Sequence, residues 1–247
     1  VDGCTLSMLD FENMTEISEL SLFFPTYNEE KNIKKVVTDA KKVLVKVADR
    51  WEIIIVNDGS NDGTKKIAEN LAKTDKRLRV VNHKVNKGYG GALKTGFANA
   101  KYEWAAFTDS DGQFDFSEIN EFIDKQEKTS ADLILGYRIK RADSVIRRLG
   151  GIAWAVLPRL FWGLTVRDYS CGFKLIRRKV FEEVQPLIGE EKVTQIEMFV
   201  KAKKLGFKFA EVGVRHYKRL FGKQTGADFK VVVKSFIDLF KLWQKLR

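Results

Sequence analysis

The chain has 247 residues, 44% of them hydrophobic and 31% charged, with three prolines and no serine- or glycine-rich stretch. That composition fits one large α/β domain, alone or with an appendage, and argues against two domains on a flexible linker. The formal net charge of +11 leaves three kinds of partner: nucleic acid, an anionic membrane surface, or phosphorylated small molecules. Two cysteines, Cys4 and Cys171, and two histidines, His83 and His216, are too few for a disulfide framework, a zinc site or a histidine-based metal site, and a reducing compartment fits. No basic segment followed by an apolar one opens the chain, so no signal peptide is expected. No run of about 18 apolar residues is present to span a bilayer, and a membrane segment cut away beyond the basic C-terminal stretch stays open.

Residues 1–19 show no period and read as an N-terminal arm. Leu20–Phe24 reads as a buried strand stopped by Pro25, with a loop over 25–30. A helix then starts near Asn32, because Ile33, Val36, Val37, Ala40, Val43 and Leu44 recur at helical spacing. Trp51–Val56 is a β-branched second strand, and the loop 57–64 after it is dense in turn residues and helix caps. Strands at 78–81, 104–107 and 132–136 follow, separated by helices that start after Gly88 and around Ile119. This alternation predicts a mostly parallel sheet with helices on both faces. The polar loops 25–30, 57–64, 82–91 and 109–115 each follow a strand, so they converge on one sheet edge, where such folds bind ligands. Dinucleotide and P-loop signatures are absent: the first strand runs into Pro25-Thr-Tyr-Asn-Glu29, and the glycines at 88, 90 and 91 have the wrong spacing.

The second half changes character. Arg138 to Arg148 is basic, and 149–166 is apolar and aromatic but broken by Pro158 and Arg159. It reads equally as core helices or as helices lying in a membrane interface. A strand at 174–176, a helix over 193–205 containing Glu197, and a strand over 207–214 lead to a basic, glycine-punctuated loop over 215–226. In the last segment, 227–247, Val232, Phe236, Leu239, Phe240, Trp243 and Leu246 fall on one helical face and Lys234, Lys241 and Lys245 on another. That pattern suits a membrane-surface helix or one packed on its own domain.

The centre of the chain is Asp109-Ser-Asp111-Gly-Gln113, directly after an apolar strand. Two residues apart, the carboxylates point to one side and meet near the turn at Gly112. Such a pair repels itself unless a cation sits between, and hard oxygen ligands suit Mg²⁺ or Mn²⁺ holding a diphosphate. The plain alternative is a polar loop in which Asp115 or Ser117 caps the next helix.

Four motifs now carry a resemblance: Pro25-Thr-Tyr-Asn-Glu29, Val56-Asn-Asp58-Gly-Ser60-Asn-Asp62-Gly-Thr64, Asn86-Lys-Gly88-Tyr-Gly-Gly-Ala92 and Asp109-Ser-Asp111-Gly-Gln113. In that order they resemble the successive signatures of family 2 glycosyltransferases of the GT-A fold. Asp168-Tyr-Ser-Cys-Gly-Phe173 and Arg219-Leu-Phe-Gly-Lys223 extend the likeness to about residue 226. Within the family, the Gln of the Asp-x-Asp-x-Gln run and the Arg-x-x-Gly-Lys loop are most similar to dolichol-phosphate mannose synthases and related polyprenyl-phosphate sugar transferases. Gln224 departs from the Ser or Thr that often follows Gly-Lys there. The resemblance implies a catalytic domain over 20–226, with a nucleotide-sugar half at 20–137 and an acceptor half at 138–226.

It also implies roles. Pro25, Tyr27, Glu29, Asp58, Lys87, Gly88, Asp109 and Ser110 would contact the nucleotide sugar. Asp109, Asp111 and Gln113 would hold the metal. Arg219 and Lys223 would close over the diphosphate or grip the acceptor phosphate, and Glu197 would stand on the acceptor side, where hydroxyl-using relatives often carry an acidic pair.

The resulting expectation is an inverting, metal-dependent transfer of a hexose, mannose or glucose, from a GDP- or UDP-linked donor to a polyprenyl or dolichyl phosphate. It would take place at the cytoplasmic face of a membrane, by an enzyme bound peripherally or anchored by a segment outside this chain. Transfer to a hydroxyl of a glycan or lipid stays open as an alternative. A basic nucleic-acid-binding protein is the alternative of another class; charge alone supports it, with no recognition helix, RNP-like run or zinc-finger spacing, so no nucleic-acid partner is expected.

Overall fold

The computed structural model describes residues 17–139, 156–219, 221 and 229–246. Seven strands form one sheet: β1 (Ile17–Thr26), β2 (Ala48–Asn57), β3 (Leu78–Asn82), β4 (Trp104–Thr108), β5 (Leu133–Arg138), β6 (Phe173–Arg177) and β7 (Phe209–Val214). Their order is β3-β2-β1-β4-β6-β5-β7. β6 runs antiparallel to both of its neighbours, and the other pairs are parallel. The mostly parallel α/β expectation is met; the reversed β6 was not foreseen. The chain steps outward from β1 to β3, then crosses back to β4 on the other side of β1. That reversal opens a crevice at the carboxyl ends of β1 and β4.

Alternation along the strands sorts the core into two layers. Leu20, Leu22 and Phe24 face one layer with α1 (Ile33–Val47), α2 (Thr64–Thr74) and α4 (Ile119–Thr129). Phe23, Ile54, Ala105 and Phe107 face the other, with α3 (Gly88–Asn99), α6 (Arg178–Glu183), α7 (Val193–Lys204) and Leu239 of α8 (Phe229–Lys245). α5 is helical over 156–162. Fully burying one such side chain is worth roughly 1.5–3 kcal/mol, so two continuous layers make the sheet a rigid platform for the loops at its edge.

Several boundaries differ from expectation. β1 begins at Ile17, inside the expected arm, because Ile17 and Glu19 pair with Ala48 and Arg50. It also runs through Pro25 to Thr26. The Pro25 carbonyl faces the β4 side, where Ser110 Oγ donates to it at 2.9 Å. Regular β1–β4 pairing covers only Leu20–Phe23, so the missing proline N–H breaks no ladder bond. Pro158 does not interrupt α5. α8 packs inward through Ser235, Leu239 and Leu242 and leaves Ile237 and Phe240 exposed, so the expected single apolar face is split between core and solvent. The part of segment 149–166 up to residue 155 lies outside the described residues.

Candidate active site

β4 ends at Thr108 and delivers Asp109 and Asp111 to the crevice. Asp109 Oδ1 accepts a hydrogen bond from Tyr89 Oη of α3 at 3.0 Å. Behind it Gly172 leaves just enough room: a Cβ there would fall on the Asp109 carboxylate. Burial, and next the charge of Asp111, push the Asp109 carboxyl up to about 6. Asp111 Oδ1 accepts from Gln113 N at 3.0 Å, and Asp111 Oδ2 lies 3.4 Å from Arg219 Nη1. The other arm of Arg219 pairs with Glu29 Oε1. Burial raises the Glu29 carboxyl above its ordinary range, and Glu29 Oε2 accepts from Asn32 Nδ2 at 2.7 Å. One guanidinium thus ties the first loop, the Asp pair and the loop after β7 together. Gln113 adds to the tie, its amide donating to the Tyr217 carbonyl at 2.8 Å. Asp115 caps the 3-10 turn at Phe116–Glu118 by accepting from Ser117 N, so the capping role belongs to Asp115 and leaves Asp109 and Asp111 to the crevice.

The donor set suits a hard divalent cation: two carboxylates in electrostatic contact, with oxygen positions left for a ligand's phosphates and water. Among the described residues no cluster of three or more His, Cys, Asp or Glu exists that would complete an all-protein cage.

On the side expected to hold the nucleotide, Asp58 is buried at the end of β2. Its Oδ1 lies 2.5 Å from His83 Nδ1 and accepts from Lys87 N at 2.8 Å. This carboxylate therefore shapes the loop that ends at Gly88, while the Lys87 side chain is exposed beside it. Pro25 and Ser110 sit at the crevice floor, joined to each other, and Tyr27 stands half-buried in the first loop. The expected nucleotide residues thus come from the ends of β1, β2, β3 and β4. Lys223 lies outside the described residues.

Glu197 is the carboxylate expected on the acceptor side. It is fully buried. Its Oε2 accepts from Gly189 N at 2.6 Å, and its Oε1 lies 2.7 Å from Lys201 Nζ. It fastens the loop before α7, and among the described residues no hydrogen bond or ion pair joins it to the Asp pair.

Residues not singled out in the sequence act electrostatically on Asp109 instead. Arg138, at the end of β5, grips Asp168 with Nε–Oδ2 at 2.7 Å and Nη2–Oδ1 at 3.0 Å. Lys192, at the start of α7, has its ammonium pKa lowered by burial and next by Arg138, and it also feels Asp109 and Asp168. Lys174, in the middle of β6, is wholly buried, and burial lowers its pKa as well. A lysine between Phe173 and Leu175 in a core strand was the available signal. Tyr89 was visible only as part of the glycine motif.

Residues 21–185 match the profile of glycosyl transferase family 2, so the chain belongs to that family, as its motifs imply. It is 31% identical over 221 residues to a dolichyl-phosphate beta-glucosyltransferase of Saccharomyces cerevisiae, covering 79% of this chain and 66% of that protein. It is 28% identical over 238 residues to a dodecaprenyl-phosphate galacturonate synthase of Rhizobium johnstonii, covering 93% of this chain and 69% of that one. The chain thus spans about two thirds of the length of these relatives. In fold it is similar to glucosyl-3-phosphoglycerate synthase of Mycobacterium tuberculosis, crystallised with Mn²⁺, UDP-glucose and phosphoglyceric acid: TM-score 0.70 at 17% identity, covering 92% of this chain and 80% of that one.

Proposed function

We propose that this domain transfers a hexose from a nucleoside diphosphate sugar to a polyprenyl phosphate at a membrane surface, using Mg²⁺ or Mn²⁺. The observation that carries the reading is the meeting of Asp109, Asp111 and Arg219 at the crevice between β1 and β4. Asp109 and Asp111, with the side-chain oxygen of Gln113, would hold the cation. When bound, it supplies positive charge to the diphosphate as the bond to the sugar breaks. Arg219 is already held over this edge by Glu29 and Asp111, so its guanidinium is in place to take the same developing charge. Lys223 of the same loop would assist. Pro25, Tyr27, Glu29, Asp58, Lys87, Gly88 and Ser110 would form the nucleotide side, Asp58 by fixing the Lys87 backbone.

The acceptor side supports a phosphate over a hydroxyl. A phosphate monoester has a second pKa of about 6 and is anionic near neutrality, so it needs cations more than a base. Arg138 and Lys192 act electrostatically on Asp109, and Glu197, the one carboxylate of α7, is held by Gly189 and Lys201. The yeast and Rhizobium relatives are named for lipid phosphates. Val156 and Leu160 of α5 and Ile237 and Phe240 of α8 are exposed. Phe161 stacks on Trp243 at 5.0 Å, joining the two helices. Lys241 and Lys245 flank that surface, which suits peripheral contact with anionic lipid. No helix among the described residues is long and apolar enough to cross a membrane.

The test is calorimetric titration with UDP-glucose and GDP-mannose, each in Mn²⁺, Mg²⁺ and EDTA, on the natural chain and on Asp111→Ala, followed by transfer to polyprenyl phosphate with whichever donor binds. Metal-dependent binding of a donor that disappears in Asp111→Ala, with transfer to the lipid phosphate, is expected. Binding of neither donor under any metal, or transfer only to hydroxyl acceptors, would overturn the reading.

A further inference from the structure

Lys174 is the charged group for which the proposed chemistry has no direct use. It sits in β6 at the register of Phe107 in β4 and Leu135 in β5, so its side chain points into the layer under α7. There Nζ lies 5.5 Å from the centre of the Phe107 ring and 5.6 Å from that of Phe199. Its hydrogen bonds go to two main-chain carbonyls, Cys171 O and, at 3.5 Å, Tyr169 O. No ion pair reaches it among the described residues. A charge so enclosed is costly unless its surroundings give back that cost. Methionine would fill the same space in a core strand without burying a charge, so the ammonium is kept for what it holds.

What it holds is the turn ending at Gly172, and Gly172 is the residue against which the Asp109 carboxylate rests. The other end of the turn is fixed independently: Arg138 grips Asp168, and Ser170 N donates to Asp168 Oδ1 at 3.2 Å. Without the ammonium, two adjacent-turn carbonyls lose their donor in a layer that water does not enter. The segment between Asp168 and Phe173 would then have to shift to satisfy them. The wall behind Asp109 shifts with it.

We infer that Lys174 is a positioning residue for Asp109: its buried ammonium, through Cys171 O, fixes the 168–172 turn so that Gly172 backs the carboxylate. It touches neither substrate nor metal. The inference rests on the reading of Asp109 and Asp111 as the cation-holding pair.

A double-mutant cycle tests it. Lys174→Met and Gly172→Ala disturb the same carboxylate, one by loosening its wall and the other by intruding on it. UDP binding is titrated with and without Mn²⁺ for the natural chain, each single variant and the pair, beside thermal unfolding of each. The expected result is that Lys174→Met keeps metal-free UDP binding and loses about tenfold of the Mn²⁺-dependent gain, about 1.4 kcal/mol. Gly172→Ala loses at least as much, and the pair loses no more than the worse single variant. Lys174→Gln, which keeps an N–H donor, restores part of the gain and also serves if Lys174→Met does not fold. Additive losses, or a lowered melting temperature with the Mn²⁺ gain intact, would overturn the inference. Absence of any Mn²⁺ gain in the natural chain would instead remove the metal reading, and the inference with it, before any variant is compared.

Discussion

The two walls of the crevice are built on different principles. On the wall proposed for the nucleotide, charged and polar side chains are tied to backbone: Asp58 to Lys87 N, Ser110 to the Pro25 carbonyl, and Thr64 Oγ1 to Glu29 N at 2.8 Å. On the wall proposed for the acceptor, burial acts on the charges of Lys174 and Lys192, and the Gln195 amide of α7 is buried with no hydrogen-bond partner for either polar atom among the described residues. The first wall is closed by side-chain-to-backbone bonds that hold its shape. The second carries positive charge kept out of water, where it acts more strongly on a neighbouring charge such as Asp109.

The largest expected effect comes where the walls meet. Gly172→Ala should lower turnover on the order of 100-fold, since displacing a reacting group by about an ångström costs that much, with little change in melting temperature because only a carboxylate has to move. Steady-state kinetics beside calorimetric melting would show it, and a variant that melts early instead would make Gly172 part of the scaffold. Next comes the first wall. Asp58→Ala should cost about 2 kcal/mol of stability by stripping the Lys87 amide of a charged acceptor, measured by urea unfolding; Asp58→Asn should recover much of it. A free energy unchanged in Asp58→Ala would mean that the 83–88 loop holds itself.

A smaller effect is expected at Glu197. Glu197→Gln preserves an acceptor for Gly189 N and should keep lipid-phosphate transfer within about threefold. Loss of a general base costs about 10²–10⁴-fold, so a drop of that size in initial rates would restore Glu197 to the chemistry. Smallest, and opposite in sign, is Gln195→Leu. Removing two unpaired buried polar atoms should leave stability unchanged or raise it by up to about 1 kcal/mol, read as a melting shift. A clear loss would reveal partners for the amide and weaken the contrast between the walls.

The nucleotide wall was the legible one. Runs such as Trp51–Val56 announce strands by composition, and turn-rich loops after them announce an edge. The acceptor wall was harder for identifiable reasons. Nine of the twelve residues of α7 are buried, so the helix has no polar face whose period would show that Glu197 is enclosed. β6 is apolar on both sides of Lys174, and nothing local to a strand states whether it runs with or against its neighbours; that depends on where the preceding connection places its start. α8 showed an amphipathic stripe but not which part of it the domain would cover.

The reversed β6 has a consequence for how the chain reaches its final form. β4 finds one neighbour, β1, early in the sequence, while its other edge stays bare until α4, β5 and a long connection have been laid down and β6 returns beside it. Non-local pairings of this kind must meet their loop-closure entropy before any contact rewards it, and they form slowly. Lys174 travels on that returning strand, so the wall behind Asp109 cannot form before β6 has paired with β4.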